Sequence, residues 1–186
     1  MSMRLNFNRG LAVSLAVLTL SGLVAQSTWQ RVYAKGTDLS LELPGKLSDP
    51  ETEKIDDEKD WVTETTDWTF DSEDFFVQVT KFKGKASTQA TAEFLKSVGE
   101  DYMKGIAESG DKVEATGSEL VKVDNKPAWR LKRTVGEGNN QYFLNVVFVG
   151  DGRDVYSVAG ISFPDAKQGV ADVDRIVKSV RYKKGL

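Results

Sequence analysis

Histidine and cysteine are both absent from the 186 residues of this chain. Their absence excludes serine–histidine and cysteine–histidine catalysis, thiol redox chemistry and the usual zinc sites, because each needs one or both of these side chains. The glycine-rich phosphate-binding motifs GxGxxG and GxxxxGK followed by Ser or Thr are absent too. We therefore predict no catalytic machinery and no cofactor.

Carboxylates are a remaining route to an enzyme, since the chain has 28 Asp and Glu residues. A glycosidase-type pair would need two carboxyl groups facing each other across a cleft, about 5 to 9.5 Å apart. Sequence spacing does not reveal such a pair, and acidic side chains usually lie on a solvated surface. A carboxylate-dependent hydrolase is accordingly the alternative function and not the first.

Residues 1–27 have the layout of a secretory signal peptide. Arg4 and Arg9 form a basic start, residues 11–25 are mainly apolar, and small residues end the segment at Ser27. A retained anchor helix is the alternative, although polar residues interrupt an apolar run shorter than the roughly 20 residues that a span needs. We expect residues 1–27 to be removed on export and residues 28–186 to form a single domain without a membrane span.

If the chain is exported, the absence of cysteine also bears on its stability and on lipid attachment. An exported protein without disulfides depends on packing for its stability, and no lipobox cysteine follows the apolar run. The formal net charge of −3 disfavours nucleic acids and anionic membranes as partners.

The centre of the chain predicts three consecutive strands, at residues 127–135, 141–149 and 153–163, joined by glycine-containing turns. The middle segment is apolar at both odd and even positions. A strand of this kind has both faces covered, so we place it inside a sheet with a layer on each side. Asn145 interrupts this strand and, once buried, needs a partner for its amide.

Period-two and period-three-to-four patterns predict the remaining elements. The strands are residues 29–34, 38–43, 61–70, 75–83 and 113–123, and the helices are residues 88–109 and 165–180. Ser87 or Thr88 is expected to cap the first helix, and Asp165 with Gln168 to form a capping box at the second. Gly117 marks a bulge. In the second helix the expected buried face is Ala166, Val170, Val173, Val177 and Val180.

Residues 48–60 are strongly acidic and contain a single large apolar residue, Ile55. We predict a mobile surface loop, because such a segment cannot bury enough to order itself. The candidate ligands for Ca²⁺ or Mn²⁺ in this loop are Asp56, Asp57, Glu58 and Asp60. The spacing lacks the EF-hand pattern, so a solvated acidic run is the simpler interpretation.

Trp61 and Trp68 fall at positions of opposite parity in one predicted strand. At most one of them should face the core from that strand, and the other is a candidate docking residue, since exposed tryptophan is enriched at recognition surfaces. The alternative is that a covering layer buries both.

Four stretches carry a family resemblance: Trp29, Tyr33 and Gly36 with the LELPG run ending at Gly45, AEFLKSV at residues 92–98, VDNKPAWR at residues 123–130, and DVYSVAGISFPDAK at residues 154–167. These stretches resemble the PsbP-like superfamily, which includes exported bacterial proteins of the DcrB type. The resemblance implies an α+β fold, an α-β-α sandwich whose largely antiparallel sheet of about six to eight strands is flanked by two main helices.

The same resemblance implies a non-catalytic, protein-docking role for the chain. The partner would be an envelope or membrane-associated protein assembly, and the location the periplasm, the extracellular space or, in a photosynthetic source, the thylakoid lumen. A Ca²⁺- or Mn²⁺-binding protein using the acidic loop is, with the hydrolase, the alternative.

Overall fold

The computed structural model of the protein describes residues 28–56, 60–108, 111–138, 141–163, 166 and 168–183. Their elements are β1 Gln30–Tyr33, β2 Leu39–Leu43, β3 Glu51–Lys54, β4 Val62–Asp71, β5 Phe75–Gly84, α1 Ala92–Glu108, β6 Val113–Val123, β7 Lys126–Val135, β8 Tyr142–Asp151, β9 Asp154–Ser162, α2 Gly169–Ser179 and β10 Arg181–Tyr182.

Seven strands form one antiparallel sheet in the order β3-β4-β5-β9-β8-β7-β6. A smaller antiparallel sheet has the order β1-β2-β10. One face of the large sheet packs against α1, and the other packs against α2 and the small sheet. This arrangement confirms the predicted α+β sandwich.

The core lies on both faces of β8, as its doubly apolar pattern predicts. Leu144, Val146 and Phe148 are buried on the α1 face. Val147 and Val149 are buried on the α2 face, in the same cluster as the three leucines of β2. Because β8 and β9 lie inside the sheet, these two strands form the scaffold that supports both outer layers.

The β6–β7 hairpin also follows its sequence. Asp124 and Asn125 have φ values of 45° and 70°, a left-handed backbone that short polar residues tolerate in a two-residue turn. The predicted bulge is present as well, because the register passes from Ala115 opposite Arg133 to Gly117 opposite Lys132. Thr116 is therefore the extra residue.

The prediction of a mobile loop at residues 48–60 is wrong for its first half, where Glu51–Lys54 forms β3 against β4. All four side chains of β3 are exposed. Backbone pairing with the edge of β4, together with the Thr52 and Thr66 hydroxyls 3.1 Å apart, orders a segment that buries almost nothing. Composition does not reveal an edge strand of this kind.

The predicted cap of α1 is also wrong, because Thr91 occupies the N-cap position and neither Ser87 nor Thr88 does. The Oγ1 of Thr91 accepts a hydrogen bond from the N–H of Phe94 at 3.2 Å. The N–H of Ala90 donates to the carbonyl of Gly152 at 2.8 Å and ties the preceding segment to the β8–β9 turn. The helix therefore begins only after this contact. Ser109, its predicted last residue, lies outside the described residues.

The start and the buried face of α2 differ from prediction too. Gln168 is the N-cap residue and makes no side-chain cap, while Asp165 lies outside the described residues. Gly169 is the first residue of the helix. Glycine fits this position because a Cβ would lie 2.6 Å from the carbonyl oxygen of Asp74. The buried apolar side chains are Val173, Ile176 and Val177, whereas Val170 is 43% exposed. Of the predicted face, Val173, Val177 and Val180 are buried and Ala166 is half-buried, so the prediction is wrong only in including Val170 and omitting Ile176.

Candidate functional site

A groove runs between α1 and the β6–β7 side of the large sheet. It has a volume of about 340 Å³. Its lining includes Gly99 and Met103 from α1, Ser118 from β6, and Trp129, Leu131 and Arg133 from β7. We call this feature the α1–β6 groove.

Gly99 sets the depth of the groove at its centre. A Cβ at this position would lie 2.9 Å from Cδ1 of Trp129, so the helix backbone contacts the indole directly. Met103 and Leu131 are buried beside this contact, while Trp129 itself is only half-buried. The groove therefore has an apolar floor and one partly accessible aromatic side chain.

The outer wall of the groove is β6, the last strand of the seven-stranded sheet. No described residue pairs with the outer edge of this strand. Leu120 lies directly opposite Trp129 in the β6–β7 register and is 58% exposed. A large exposed aliphatic side chain beside a half-buried indole is the composition of a binding surface, since both would gain by losing contact with water.

The charges around the groove are mainly positive. The guanidinium of Arg133 donates from Nη1 to the carbonyls of Gly117 and Lys132, each at 2.7 Å, and so holds the bulge of β6 against β7. Lys96 and Glu100 line the groove from α1 and form an exposed ion pair at 3.7 Å. With that pair largely self-neutralising, Arg133 gives the groove its positive character.

The opposite face of the same strands carries a polar network that fastens α2. Asp174 of α2 accepts hydrogen bonds from Lys132 of β7, from Lys178 at 2.5 Å and from the Nδ2 of Asn145 at 3.1 Å. Burial raises the pKa of Asp174, but the hydrogen bonds from the two lysines outweigh burial and hold that pKa below its ordinary value. The Nδ2 of the buried Asn145 thus has a partner, whereas its Oδ1 accepts no hydrogen bond from the described residues.

The last strand is fastened by a second polar network. Tyr182 donates its phenolic hydrogen to Asp151 at 2.5 Å, and Lys126 bonds the other oxygen of the same carboxylate at 2.6 Å. Burial, followed by this hydrogen bond, raises the pKa of Tyr182 above its ordinary value. Both networks connect covering elements to the sheet.

The chain matches no protein-family model and no curated protein. Among solved structures, cyanobacterial PsbP (CyanoP) from Synechocystis sp. PCC 6803 matches 89% of this chain and 99% of that chain, with a TM-score of 0.55 and 15% sequence identity. This chain has the PsbP-like fold. The resemblance seen in the sequence is therefore confirmed for the fold.

Two further solved structures share less of the geometry. LpqN of Mycobacterium tuberculosis, described as involved in cell envelope biogenesis, matches 83% of this chain and 90% of that chain at a TM-score of 0.43 and 12% identity. A protein of Bacteroides thetaiotaomicron matches 80% of this chain and 47% of that chain at a TM-score of 0.39 and 12% identity.

On the PsbP-like fold, neither predicted docking tryptophan is exposed. Trp61 is 8% exposed and packs on the α1 face with Phe82 and Phe94. Trp68 is 2% exposed and packs on the α2 face. The hypothesis that one of the two faces solvent is wrong, and the alternative, that covering layers bury both, is what the structure has.

The predicted metal ligands are only partly described. Asp57 and Glu58 lie outside the described residues. Asp56 is exposed, and Asp60 accepts a hydrogen bond from the N–H of Val62 at 3.3 Å, which closes the turn into β4. The described part of the chain contains no group of three or more His, Cys, Asp or Glu side chains placed to hold a metal. The acidic-loop site stays a prediction.

Sequence reasoning missed Leu120 and Trp129. Their signal was present but weak: the 113–123 segment lacks the regular alternation of a covered strand, and Leu120 is a large apolar residue within it. Leu120 lies beside an open sheet edge because the topology places β6 last in the sheet, which the sequence pattern does not show.

Among the described residues, no helix has the length and apolarity needed to cross a membrane.

Proposed function

We propose that this chain is an exported, non-catalytic accessory protein that docks onto a protein of an envelope or lumenal assembly through the α1–β6 groove. The observation that carries the proposal is Leu120, 58% exposed and directly opposite the half-buried Trp129. The groove has no pair of facing carboxylates, since Glu100 is its only acidic lining residue in the described part of the chain. Its chemistry suits binding.

Site-specific photo-crosslinking in the source cell tests the docking surface. A photoreactive residue at position 120 should capture a defined partner, identified by mass spectrometry. The same residue at position 170 or position 33 is the matched control, because Val170 and Tyr33 are also exposed apolar side chains but lie away from the groove. Identical products from all three positions, or none from position 120, would contradict the proposal.

Export rests on the signal-like residues 1–27. We expect the protein to be recovered from the envelope or lumenal fraction with a new N-terminus at or near Thr28. Amino-terminal sequencing of that material is the measurement. A chain that keeps its first 27 residues in the cytoplasmic fraction would contradict export while leaving the docking surface untouched.

A further inference from the structure

We propose that the outer edge of β6 binds an extended segment of a partner protein as an additional strand, and that this segment carries an apolar side chain flanked by carboxylates. The inference rests on the docking function proposed above and specifies how the partner is held.

The β6–β7 turn determines which backbone groups of β6 point outwards. A two-residue turn bonds the carbonyl of Val123 to the N–H of Lys126, so this pair is hydrogen-bonded. Bonded and non-bonded pairs alternate along an antiparallel ladder. The non-bonded residues of β6 are then Ser118, Leu120 and Lys122, whose N–H and C=O groups face away from β7. Pro127, which has no N–H to donate, lies opposite Lys122, as this alternation requires.

The same three residues direct their side chains to the α1 face. Ser118 lines the groove, and Leu120 lies opposite Trp129, another lining residue. A strand added at this edge would bring its own side chains beside Leu120, at about the 4.5 to 5.5 Å separation of cross-strand neighbours. An apolar side chain of that strand would cover Leu120 and enter the open end of the groove. Backbone pairing and side-chain burial thus become available together.

The positive charge around the groove favours an acidic segment of a partner over a second copy of this chain. Lys96 and Arg133 line the groove and Lys122 follows Leu120 on the same face, whereas Glu100 is the one acid among the described lining residues. This local excess of positive charge lies on a chain whose formal net charge is −3. A segment with carboxylates complements it, whereas a second copy paired through its own β6 edge would bring the same positive charges together.

The bulge limits the length of the new pairing. The register shift between Ala115 and Gly117 interrupts the ladder and twists the strand, which protects this part of the edge from pairing. The regular edge extends from Ser118 to Val123. It is long enough for a short peptide and too short for a long, indiscriminate strand exchange.

Backbone methylation of a model ligand tests the pairing directly. The probe is a short fluorescent peptide that alternates valine and threonine around a central phenylalanine and ends in glutamates. Two modified versions of this peptide carry N-methyl groups on alternate backbone nitrogens. One is methylated at its odd-numbered residues and the other at its even-numbered residues. A strand paired along one edge uses only one of these sets, so one version should bind at least about tenfold more weakly and the other within about twofold of the parent.

The matched pair separates strand pairing from general peptide stiffening, because both versions are stiffened alike. Fluorescence anisotropy with the full mature protein gives the affinities. Replacing the glutamates by glutamine, or Lys122→Gln in the protein, should each weaken binding about two- to fivefold. Leu120→Asn should weaken it further, while Val170→Asn should leave it unchanged.

Three results would overturn the inference: no binding of the parent peptide, equal loss from both methylated versions, or a dimer in sedimentation that Leu120→Asn dissociates. If crosslinking from position 120 captures a partner but the two methylated peptides bind with equal affinity, docking stands and strand pairing is wrong. If the peptide binds with the expected pattern and no partner is captured, strand pairing stands and the accessory role is wrong.

Discussion

The two faces of the seven-stranded sheet are closed in different ways. On the α2 face, charged side chains tie the cover in place: Arg175 of α2 bonds Glu42 of β2 at 3.1 Å and stacks over Trp29 at 4.1 Å. On the α1 face the helix packs mainly through apolar side chains. The ion pairs that α1 forms with described residues, Lys96 with Glu100 and Lys104 with Glu108, both remain within the helix.

This difference favours the α2 face as the supporting face and the α1 face as the site of the docking proposed above. Directional polar contacts fix α2, the small sheet and the last strand in one position, which suits a scaffold. Apolar contacts between α1 and the sheet stabilise the helix, which packs mostly on β7 and less on β8 and β6, and the α1–β6 groove stays open between them. A ligand can therefore add to the α1 face without displacing a covering element.

Ile176→Ala should have the largest effect, because it removes a fully buried side chain from the α2 face. We expect a loss of about 3 kcal/mol in the free energy of unfolding. Val170→Ala on the same helix is the control and should change stability by less than about 0.5 kcal/mol, since Val170 is exposed. Urea unfolding followed by circular dichroism measures both. Equal effects would show that α2 is not anchored through the face assigned here.

The sequence predicts this fold well where burial repeats along the chain. The β8 segment, which is apolar on both faces, and the leucines of β2 predict their own burial, because apolar faces must be covered. Predictions failed where a backbone contact between distant segments decides the outcome. The start of α1 depends on the Ala90–Gly152 hydrogen bond, and β3 depends on the free edge of β4. Local composition contains neither contact.

The candidate site was less predictable than the fold. Tryptophan is rare and enriched at interfaces, which drew attention to Trp61 and Trp68, yet both fill the core. Trp129 looked like an ordinary strand residue. It is half-buried because it lines the α1–β6 groove, on the strand next to last in the sheet. Strand order, which sequence periodicity does not report, places Trp129 beside the open groove.

Asp174→Asn should have an intermediate effect and sharpen the contrast between the faces. The change removes the carboxylate that holds Lys132 and Lys178, so we expect a loss of about 1 to 3 kcal/mol at neutral pH. The folded-state pKa of Asp174 lies below its ordinary value of about 3.9, so its stabilisation is complete above that pH and is lost as the pH falls through the folded pKa.

The test for Asp174 is urea unfolding of both proteins from neutral pH down to about pH 3, below the ordinary pKa of an aspartate. The stability difference should shrink over the acid end of this range. Asp172→Asn serves as the control, because its carboxylate accepts a hydrogen bond from Gln168 and, among the described residues, forms no ion pair with a lysine or arginine. A difference that does not vary with pH would mean that the Asp174 charge does not fasten α2.

Leu120→Asn should have the smallest effect on stability and thereby separate binding from folding. Leu120 is more than half exposed, so its replacement should change the free energy of unfolding by less than about 0.5 kcal/mol. Leu131→Asn, opposite Ser118 on the same face, is the matched comparison and should unfold the protein much more readily, since Leu131 is buried. Thermal unfolding measures both variants. A large loss of stability from Leu120→Asn would assign this leucine to the core and remove the main reason for treating the β6 edge as a binding surface.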